Sequence, residues 1–437
     1  MVSLRPVSLH RIRIWLRDRE DFEALIRALE GFGRFHPSII SQLPSRSDGE
    51  SFYIAGWVPT LAAEEASRIA MKVTGQRCKI KFEEPSEEMS PPTLQSHNEF
   101  LKPFERLVNS FGIPSYWELD PTPLVALSFA LIFGFMFADI GHGLILALVG
   151  LIVLVIRSKL GLRVGGLLSY VLDNGSLLLV CGISGILGGI LFSDFFGYHV
   201  HLSMPEFEIP NPVGIHFPFR PLEEPTKMFK LSLFIGSIHI SMGLILNLLN
   251  KLLRKEFREA FFEPVCWLWL YGGLMYSVFS YKLDLGAWTR SPIFLWCLIL
   301  PAALMLIGKL AVEGLDGLIF FIEALISTVS NTISYLRIMA LSLVHGVMSQ
   351  MIINTTGGNP IAIFLGSLAV IALEGLVIFI HTTRLVWVEW FSKFYKGEGR
   401  AFKPLRLEEV GAVTAGKAYQ DANETRRFVG LKLLKEG

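Results

Sequence analysis

Two very apolar segments, residues 316–352 and residues 360–395, contain ionisable side chains in stretches that otherwise suit the interior of a lipid bilayer. A charged side chain at the centre of a membrane helix costs about 2.5–3.5 kcal/mol on insertion scales, so such residues usually serve a function. The residues concerned are Glu323, Arg337, His345, Glu374, His381 and Arg384. Carboxylates and imidazoles can exchange protons, whereas an arginine guanidinium stays charged. This combination of residue types points to the movement of ions.

The polar residues of the first segment share one face if the segment is helical. At 100° per residue, three hydroxyls, the arginine and the histidine fall within about 40° of Glu323. These residues are Ser327, Ser330, Ser334, Arg337 and His345. In the second segment, His381 and Arg384 lie within about 20° and about 80° of Glu374. Two polar stripes that face each other within lipid predict a hydrated ion path.

The order of these groups across the membrane predicts a proton-transfer route with a central barrier. If the first segment runs outwards, Glu323 lies near the cytoplasm, Arg337 near the middle and His345 nearer the outside. If the second segment runs inwards, Glu374 lies nearer the outside than Arg384. The fixed charge of the arginine would then block a direct proton leak and favour the ionised form of any carboxylate that approaches it.

Simpler interpretations of the same residues stay open. Arg337 could pair with Glu374 and hold two helices together, although such a pair leaves the rest of the polar stripe and the helix length unexplained. The serine hydroxyls of the stripe could bond back to carbonyls of the preceding turn. His345 could be a hydrogen-bonded buried imidazole. His239, in an earlier apolar segment, fits packing or an interhelical hydrogen bond better than an ion path.

The composition indicates a polytopic membrane protein. Apolar residues make up 51% of the 437 residues and charged residues only 18%, which is unusual for a soluble chain. A helix needs about 20 apolar residues to cross a bilayer. We therefore predict an all-α membrane bundle of about eight transmembrane helices, of which the last two are too long to stand upright and must be tilted. The predicted spans are two passes within 122–157, broken at 137–143, followed by 174–192, 229–250, 264–281, 292–311, 316–352 and 360–395.

The distribution of lysine and arginine predicts the orientation of the spans. Three connecting or terminal stretches are basic: residues 157–163, 250–258 and 393–406. The loop 193–228 on the opposite side holds only Arg220 and Lys227. The positive-inside rule therefore places both termini in the cytoplasm. The N-terminal sequence also lacks the apolar core of a signal peptide, which agrees with a cytoplasmic start.

Residues 1–85, here called the head, predict a small cytoplasmic α/β domain. Alternating strand patterns and two amphipathic helix patterns follow one another in the order β-α-β-α-β, which suits a ferredoxin-like or related fold. Residues 86–121 form a proline-punctuated linker with one short amphipathic helix near 97–111, and residues 396–437 form a polar cytoplasmic tail. The head shows no pattern typical of an active site, so we interpret it as a docking domain.

Several kinds of site have no support in the sequence. The cysteines lack zinc-type spacing and fit small apolar packing residues. We find no P-loop and no basic cluster interleaved with aromatic residues, so we predict no nucleotide site, no nucleic-acid partner, no cofactor and no metal. The cysteines are Cys78, Cys181, Cys266 and Cys297.

The sequences SNTISYLRIMALSLVHGVMS (330–349) and LEGLVIFIHTTRLVWVEWFSKFYKGEGRAFKPL (373–405) closely resemble the two long helices of the membrane subunit a family of V/A-type rotary ATPases, called subunit I in archaea and bacteria. Residues 120–143 resemble the beginning of the family's membrane region, and IAGWVP (54–59) resembles the end of its soluble lobe. Family members usually carry a longer soluble region with two lobes and a coiled coil. No sustained heptads occur here, so the resemblance leaves the attachment of peripheral stalks open.

The resemblance implies a stator subunit that holds two offset half-channels against a rotating ring of proteolipid c subunits and contacts peripheral-stalk and central-stalk subunits through the head. It implies that Arg337 meets the ring carboxylate and that Arg384 is the second family arginine. Glu323 matches the cytoplasmic half-channel, and His345 and Glu374 match the outer one. A prokaryotic plasma membrane is the expected location. Whether H⁺ or Na⁺ moves depends largely on the ring.

The alternative function is a self-contained secondary transporter or ion channel. Such proteins often contain two related halves with paired, interrupted short spans, and no internal repeat of this kind is evident here. A purely structural membrane anchor would not explain the two arginines. The sequence therefore predicts an ion-translocating subunit without an active site of its own.

Overall fold

The computed structural model of the chain describes residues 6–16, 19–32, 34–39, 52–86, 89–160, 173–200, 207–281, 284–357 and 359–404. The tail predicted at 396–437 therefore lies mostly outside the described residues. The chain divides into two compact units. One unit combines His97–Gly112 with Trp117–Gly397, and the other contains Arg5–Ser96 together with Ile113–Tyr116 and the residues from Glu398 onward.

The head contains a four-stranded sheet with two helices. In chain order its elements are β1 (Leu9–Leu16), α1 (Arg19–Phe32), β2 (His36–Ile39), β3 (Phe52–Pro59), α2 (Ala63–Val73) and β4 (Lys79–Glu83). The strand order across the sheet is β2-β3-β1-β4, and all neighbouring strands are antiparallel. Strand β1 buries alternate residues, including Ile12 and Ile14, against Leu25 and Leu29 of α1. The burial of one strand face explains the alternating pattern in the sequence.

The element order of the head corrects the sequence prediction. The predicted order was β-α-β-α-β, whereas the described order is β-α-β-β-α-β because β2 adds a strand at one edge of the sheet. Strand β2 has only four residues, contains Pro37 and carries a register shift opposite β3. A short run with a proline gives a weak strand signal, and an edge strand is where a sheet tolerates proline.

In its described residues, the second unit has two short hairpins and is otherwise built of helices and their connections. Its helices are α3 (Lys102–Phe111), α4 (Thr122–Met136), α5 (Ile140–Leu160), α6 (Gly175–Phe192), α7 (Pro225–Leu253), α8 (Phe257–Ala260), α9 (Cys266–Tyr281), α10 (Leu285–Arg290), α11 (Leu300–Glu313), α12 (Asp316–Ser334), α13 (Leu336–Thr356) and α14 (Pro360–Arg384). The hairpins pair β5 (Asp194–Phe195) with β6 (Tyr198–His199) and β7 (Phe207–Ile209) with β8 (Ile215–Phe217). The helix predicted near 97–111 begins later, at Lys102, because a turn precedes it and Pro103 suits a first helical turn.

Six helical stretches within the described residues are long and apolar enough to cross a membrane. Helix α4, with 15 residues and about 22 Å at 1.5 Å per residue, occupies one of the eight predicted spans but is shorter than the roughly 30 Å of a hydrocarbon core. Helix α9 occupies another predicted span and continues α8 through a π-type turn at Phe261–Val265, so residues 257–281 form one helical stretch that is not among the six. The six are Ile140–Lys159, Gly175–Phe192, Pro225–Leu253, Phe294–Val312, Asp316–Thr356 and Pro360–Lys393.

Helices α5 and α6 pack at very short range through glycine. A Cβ atom added to Gly182 would lie 2.2 Å from the backbone nitrogen of Ala147, and one added to Gly150 would lie 2.3 Å from that of Leu179. Gly134 of α4 approaches the backbone of Ser184 in the same way. Membrane helices lack a hydrophobic force between them and rely on such close contacts between small residues.

The last two predicted spans are long, as expected. Residues Asp316–Thr356 form 41 residues of nearly continuous helix, about 60 Å at 1.5 Å per residue, with an irregularity at Tyr335 between α12 and α13. Residues 354–356 are still helical, so the turn between the two long helices is shorter than the gap between the predicted spans 316–352 and 360–395. Gly357 has a φ of +59° and terminates α13, and the Asn359 side chain accepts a hydrogen bond from the backbone N–H of Ile361.

Candidate functional site

Arg337 lies in the first turn of α13, next to the irregularity at Tyr335. Its Nη2 donates a hydrogen bond to Oε1 of Glu389 at 3.2 Å. The side chain of Glu389 is 2% exposed and is also in hydrogen-bonding range of the Ser334 hydroxyl. The alternative pairing of Arg337 with Glu374 is therefore wrong. Glu389 follows Glu374 by 15 residues, about 22 Å along a helix, so the two carboxylates lie far apart.

A local change in helical geometry positions Glu389. After α14 ends at Arg384, residues Leu385–Trp390 form a wider, π-type turn before a short 3₁₀ turn at Phe391–Lys393. The extra residue in such a turn shifts the side chains that follow around the helix axis, and π turns occur often at functional sites. Glu389 was not among the predicted polar residues of the second segment, although at 100° per residue it lies about 60° from Glu374, closer than Arg384.

His345 and Glu374 form the centre of a second polar group. Nδ1 of His345 lies 2.9 Å from Oε2 of Glu374, and both residues are buried. The imidazole is therefore hydrogen-bonded, yet its Nε2 and the Oε1 of Glu374 are buried without a hydrogen-bond partner among the described residues. The pair thus satisfies only half of its polar atoms within the protein, so a purely structural interpretation of His345 explains only part of the geometry.

Asp139 and His142, which lie in the break predicted at 137–143, join this second group. The ligating atoms of Asp139, His142 and His345 all lie within 4.8 Å of one another. The sequence analysis assigned no role to either residue in the break. Both residues stand out in the sequence because an acid and an imidazole interrupt two apolar runs. Their contact with His345 could not be predicted, because they lie far from residue 345 along the chain.

Asp139 also organises the first hairpin of the loop between α6 and α7. Its Oδ1 accepts hydrogen bonds from the backbone N–H groups of His142 at 2.9 Å and Phe196 at 3.0 Å, and its Oδ2 accepts one from Gly197 at 2.9 Å. Gly197 has a φ of +76°, and a Cβ there would lie 2.7 Å from that of Ser349. The carboxylate therefore ties the loop backbone to the start of α5.

A small cavity of about 20 Å³ lies beside His345, enough for about one water molecule. Asp194 and Arg220 from the loop 193–228 contribute to its lining, as do Ser342 and Gln350 of α13. Burial raises the pKa of Asp194 to about 6, so this carboxyl can bind and release a proton close to neutral pH. The second polar group thus continues towards the loop that we predict to face outwards.

A third polar region lies on the other side of Arg337 along α12. Glu323, Ser327 and Ser330 line an open groove of about 480 Å³, and Glu323 and Ser330 are exposed. The hydroxyl of Ser327 donates to the carbonyl of Ala324 at 3.1 Å and accepts a hydrogen bond from Nζ of Lys393 at 3.2 Å. The sequence analysis missed Lys393, which lies at the end of the π-type and 3₁₀ turns that follow α14.

The remaining predicted residues occupy intermediate positions on α14. Arg384 is exposed, and in the described part of the chain it forms no ion pair, whereas His381 is half-buried. His239 of α7 lies 2.7 Å through Nδ1 from the hydroxyl of Tyr335 and stacks on Trp390 with ring centroids 4.7 Å apart. The expected interhelical hydrogen bond of His239 is therefore present, and it holds the irregular residue between α12 and α13.

Comparison with known sequences finds similarity to subunits of V-type ATPases and A-type ATP synthases. A model of the V-type ATPase 116kDa subunit family matches residues 39–216 and 315–407. A-type ATP synthase subunit I of Pyrococcus horikoshii is 29% identical over 371 residues, covering 81% of this chain and 53% of that protein. Subunit I of Aeropyrum pernix is 27% identical over 472 residues, covering 96% of this chain and 65% of that protein.

The similarity extends to eukaryotic proteins. The vacuolar proton translocating ATPase 100 kDa subunit of Dictyostelium discoideum is 26% identical over 473 residues, covering 81% of this chain and 58% of that protein. The chain spans about half the length of most of the curated relatives that it matches. The family model covers more than half of the chain, including both long helices with their arginines and the break that holds Asp139 and His142. This chain is therefore an integral membrane protein that belongs to the V-type ATPase 116kDa subunit family.

Proposed function

We propose that this chain is the stator subunit of a V/A-type rotary ATPase or ATP synthase, in which it carries H⁺ or Na⁺ through two half-channels beside a ring of proteolipid c subunits. The observation that carries the proposal is the position of Arg337 between two separate polar regions. The open groove around Glu323 begins about 21 Å before Arg337 along the helix, and the buried group around His345 begins about 12 Å after it. The two regions lie on opposite sides of one permanent positive charge.

The ionisable residues of each polar region can transfer protons, whereas Arg337 cannot. Carboxylates and imidazoles bind and release protons, so Glu323 on one side and Glu374 with His345 on the other can pass a proton to a ring carboxylate. The guanidinium stays charged and cannot relay a proton. Nη1 of Arg337 is buried and has no hydrogen-bond partner among the described residues, while the side chain as a whole is 19% exposed. We propose that the guanidinium moves to offer this donor to a carboxylate that arrives from outside the chain.

We further propose a membrane topology, a location and a domain organisation for the chain, which the family relationship supports. Helices α4 and α9 complete eight spans, both termini face the cytoplasm, and the complex resides in a prokaryotic plasma membrane. The β-α-β-β-α-β order and the β2-β3-β1-β4 sheet support a ferredoxin-like assignment for the head. We keep residues 86–121 as a linker, 122–395 as the membrane domain and 396–437 as a cytoplasmic tail, and we assign the head to contacts with stalk subunits.

The decisive experiment measures ATP-driven acidification of vesicles that contain the assembled complex. Arg337→Gln should abolish acidification, because glutamine has no positive charge to stabilise the ionised ring carboxylate. The amount of inserted chain should not change. Arg258→Gln, at an exposed arginine of α8, is the matched control and should pump normally. A carbodiimide that modifies the ring carboxylate should stop pumping by the unaltered complex.

Two results would contradict the proposal. Substantial acidification by Arg337→Gln would remove the central role of this arginine. Ion flux through the isolated chain, without ATP and without a proteolipid partner, would instead indicate a transporter or channel.

A further inference from the structure

The buried group formed by Asp139, His142 and His345 contains more ligating capacity than the protein itself uses. The three side chains are 1%, 1% and 4% exposed, and their ligating atoms lie within 4.8 Å of one another. Buried polar atoms normally find partners, and those that lack one within the protein call for an explanation. The rings of His142 and His345 meet edge to face, with centroids 5.2 Å apart.

His345 is held in the arrangement that metal-binding histidines adopt. Its Nδ1 lies 2.9 Å from the Glu374 carboxylate, which accepts the Nδ1–H hydrogen bond and leaves the lone pair of the neutral imidazole on Nε2. That Nε2 atom is buried and has no hydrogen-bond partner among the described residues. A carboxylate that orients a histidine through its second nitrogen is the usual outer support of a metal ligand.

His142 and Asp139 provide the other ligands. Both ring nitrogens of His142 are buried without a hydrogen-bond partner among the described residues, although Nδ1 lies 3.3 Å from Oδ1 of Asp139. A carboxylate offers about four lone-pair positions. Backbone N–H groups occupy two on Oδ1 and one on Oδ2 of Asp139, so one position on Oδ2 remains.

We propose that Asp139, His142 and His345 form a binding site for a divalent transition-metal ion, with Zn²⁺ as the ion that fits best. Two imidazoles and one carboxylate are typical of Zn²⁺ sites with three protein ligands and a water, whereas Mg²⁺ and Ca²⁺ prefer oxygen ligands. Ligands about 2.0–2.1 Å from a tetrahedral ion lie about 3.3 Å apart. Since the ligating atoms lie within 4.8 Å of one another, binding an ion requires the group to contract by at most about 1.5 Å.

The site gives the ion a specific effect on transport, and this part rests on the proposed function. If His345 belongs to the outer half-channel, a metal ion on its Nε2 occupies the lone pair that would otherwise accept a proton. The cavity beside His345, lined by Asp194 and Arg220, leads towards the loop between α6 and α7. Zinc added on the side of that loop should therefore inhibit pumping, and zinc added on the other side should not.

Direct binding tests the site without relying on transport. The complex, purified with a tag that contains no histidine, is titrated with Zn²⁺ against a chromophoric chelator, and Co²⁺ serves as a spectroscopic substitute. We expect one high-affinity ion per chain and a Co²⁺ absorption spectrum typical of tetrahedral nitrogen and oxygen ligands. His142→Ala and His345→Ala should each remove this high-affinity binding.

A graded variant and a control separate metal binding from misfolding. Glu374→Gln keeps an oxygen acceptor for His345 but weakens it, and should raise the dissociation constant about 10- to 100-fold. His216→Ala, at an exposed histidine that pairs with Glu208, should leave binding unchanged. Thermal unfolding of each variant without metal identifies any variant that fails to fold.

The outcomes for the site and for the proposed function are distinguishable. High-affinity binding that persists in either His142→Ala or His345→Ala, or no binding to the unaltered complex, would overturn the site whatever the pumping rate. Binding at the predicted residues without inhibition of pumping would confirm the site and contradict the route through His345.

Discussion

At the scale of single residues, the hydrogen-bond partner of each ionisable group determines which part of the proposed ion path the group can serve. Arg337 contacts Glu389, and His345 contacts Glu374, so the two arms of the predicted path have separate carboxylates. A carboxylate beside the arginine limits how freely the guanidinium can move, while the single hydrogen bond from Nη2 leaves other N–H donors for a second acceptor. If the proposed function is correct, this arrangement holds the arginine in place between encounters with a ring carboxylate.

Another residue-scale feature, outside the spans, is open to a pH test. His97 lies 3.0 Å from Glu105 and 3.6 Å from Asp120, and its hydrogen bond to the Glu105 carboxylate raises its pKa above the usual 6.5. A raised folded-state pKa stabilises the fold fully below about 6.5, and this stabilisation is lost as the pH rises through the folded-state value.

We therefore predict that His97→Gln lowers the midpoint of thermal unfolding more at pH 5.5 than at pH 8.5. Glu105→Gln removes the same charge pair and should show the same trend, whereas His216→Gln, at an exposed histidine, should show none. The measurement is thermal unfolding in detergent across this pH range. A penalty for His97→Gln that is constant or grows with pH would show that the pair does not stabilise the protonated imidazole.

At the scale of elements, close packing of glycine sets the spacing of α5 and α6. The Cβ of an alanine at position 182 would lie 2.2 Å from a backbone nitrogen, and backbone cannot yield as a flexible side chain can. The helices would have to separate, and the contacts along their whole length would weaken. The loss of stability should therefore have the size expected for overpacking, rather than that of losing a single local contact.

We predict that Gly182→Ala destabilises the protein by about 1–3 kcal/mol, the usual range for overpacking. Gly272→Ala is the matched control, because an added Cβ there meets no atom of the described chain within 4 Å and alanine favours a helix. Thermal unfolding of both variants in the same detergent makes the comparison. Equal stability of Gly182→Ala and the unaltered chain would show that α5 and α6 can separate without cost.

At the scale of the whole molecule, the orientation in the membrane determines which polar region faces which compartment. The groove around Glu323 faces the cytoplasm only if the basic loop after α7 is also cytoplasmic. Helix α7 has 29 residues, about 43 Å, and separates that loop from the hairpin formed by β7 and β8. A single pair of labels on the two sides of α7 therefore tests the orientation of the entire path.

We predict that a cysteine introduced as Glu208→Cys reacts with a membrane-impermeant maleimide added to intact cells. Lys255→Cys, in the basic loop, should react only after permeabilisation. Both positions are exposed, and the four native cysteines are replaced beforehand to remove background labelling. The opposite labelling pattern would show that the topology is inverted, so that each proposed half-channel faces the other compartment. The contacts of Arg337 within the chain would be the same in either orientation.

The sequence alone determined the helical membrane architecture and most of the residues that form the polar regions. A chain in lipid must satisfy its backbone hydrogen bonds within each helix, so long apolar runs such as 316–352 and 360–395 predict helices with little ambiguity. Local spacing also placed Glu323, Ser327 and Ser330 together on one face, because residues three and four apart are neighbours on a regular helix. Family membership followed from the same two segments.

Only the tertiary structure decided which of these groups meet. Arg337 and Glu389 are 52 residues apart, and the π-type turn after Arg384 changes the helical register between Glu374 and Glu389. The approach of Asp139 and His142 to His345 depends on how α5 packs against the later helices, and no local pattern encodes a contact across such a distance along the chain. Periodicity describes one helix at a time, whereas an ion path and a metal site are made by side chains from several helices.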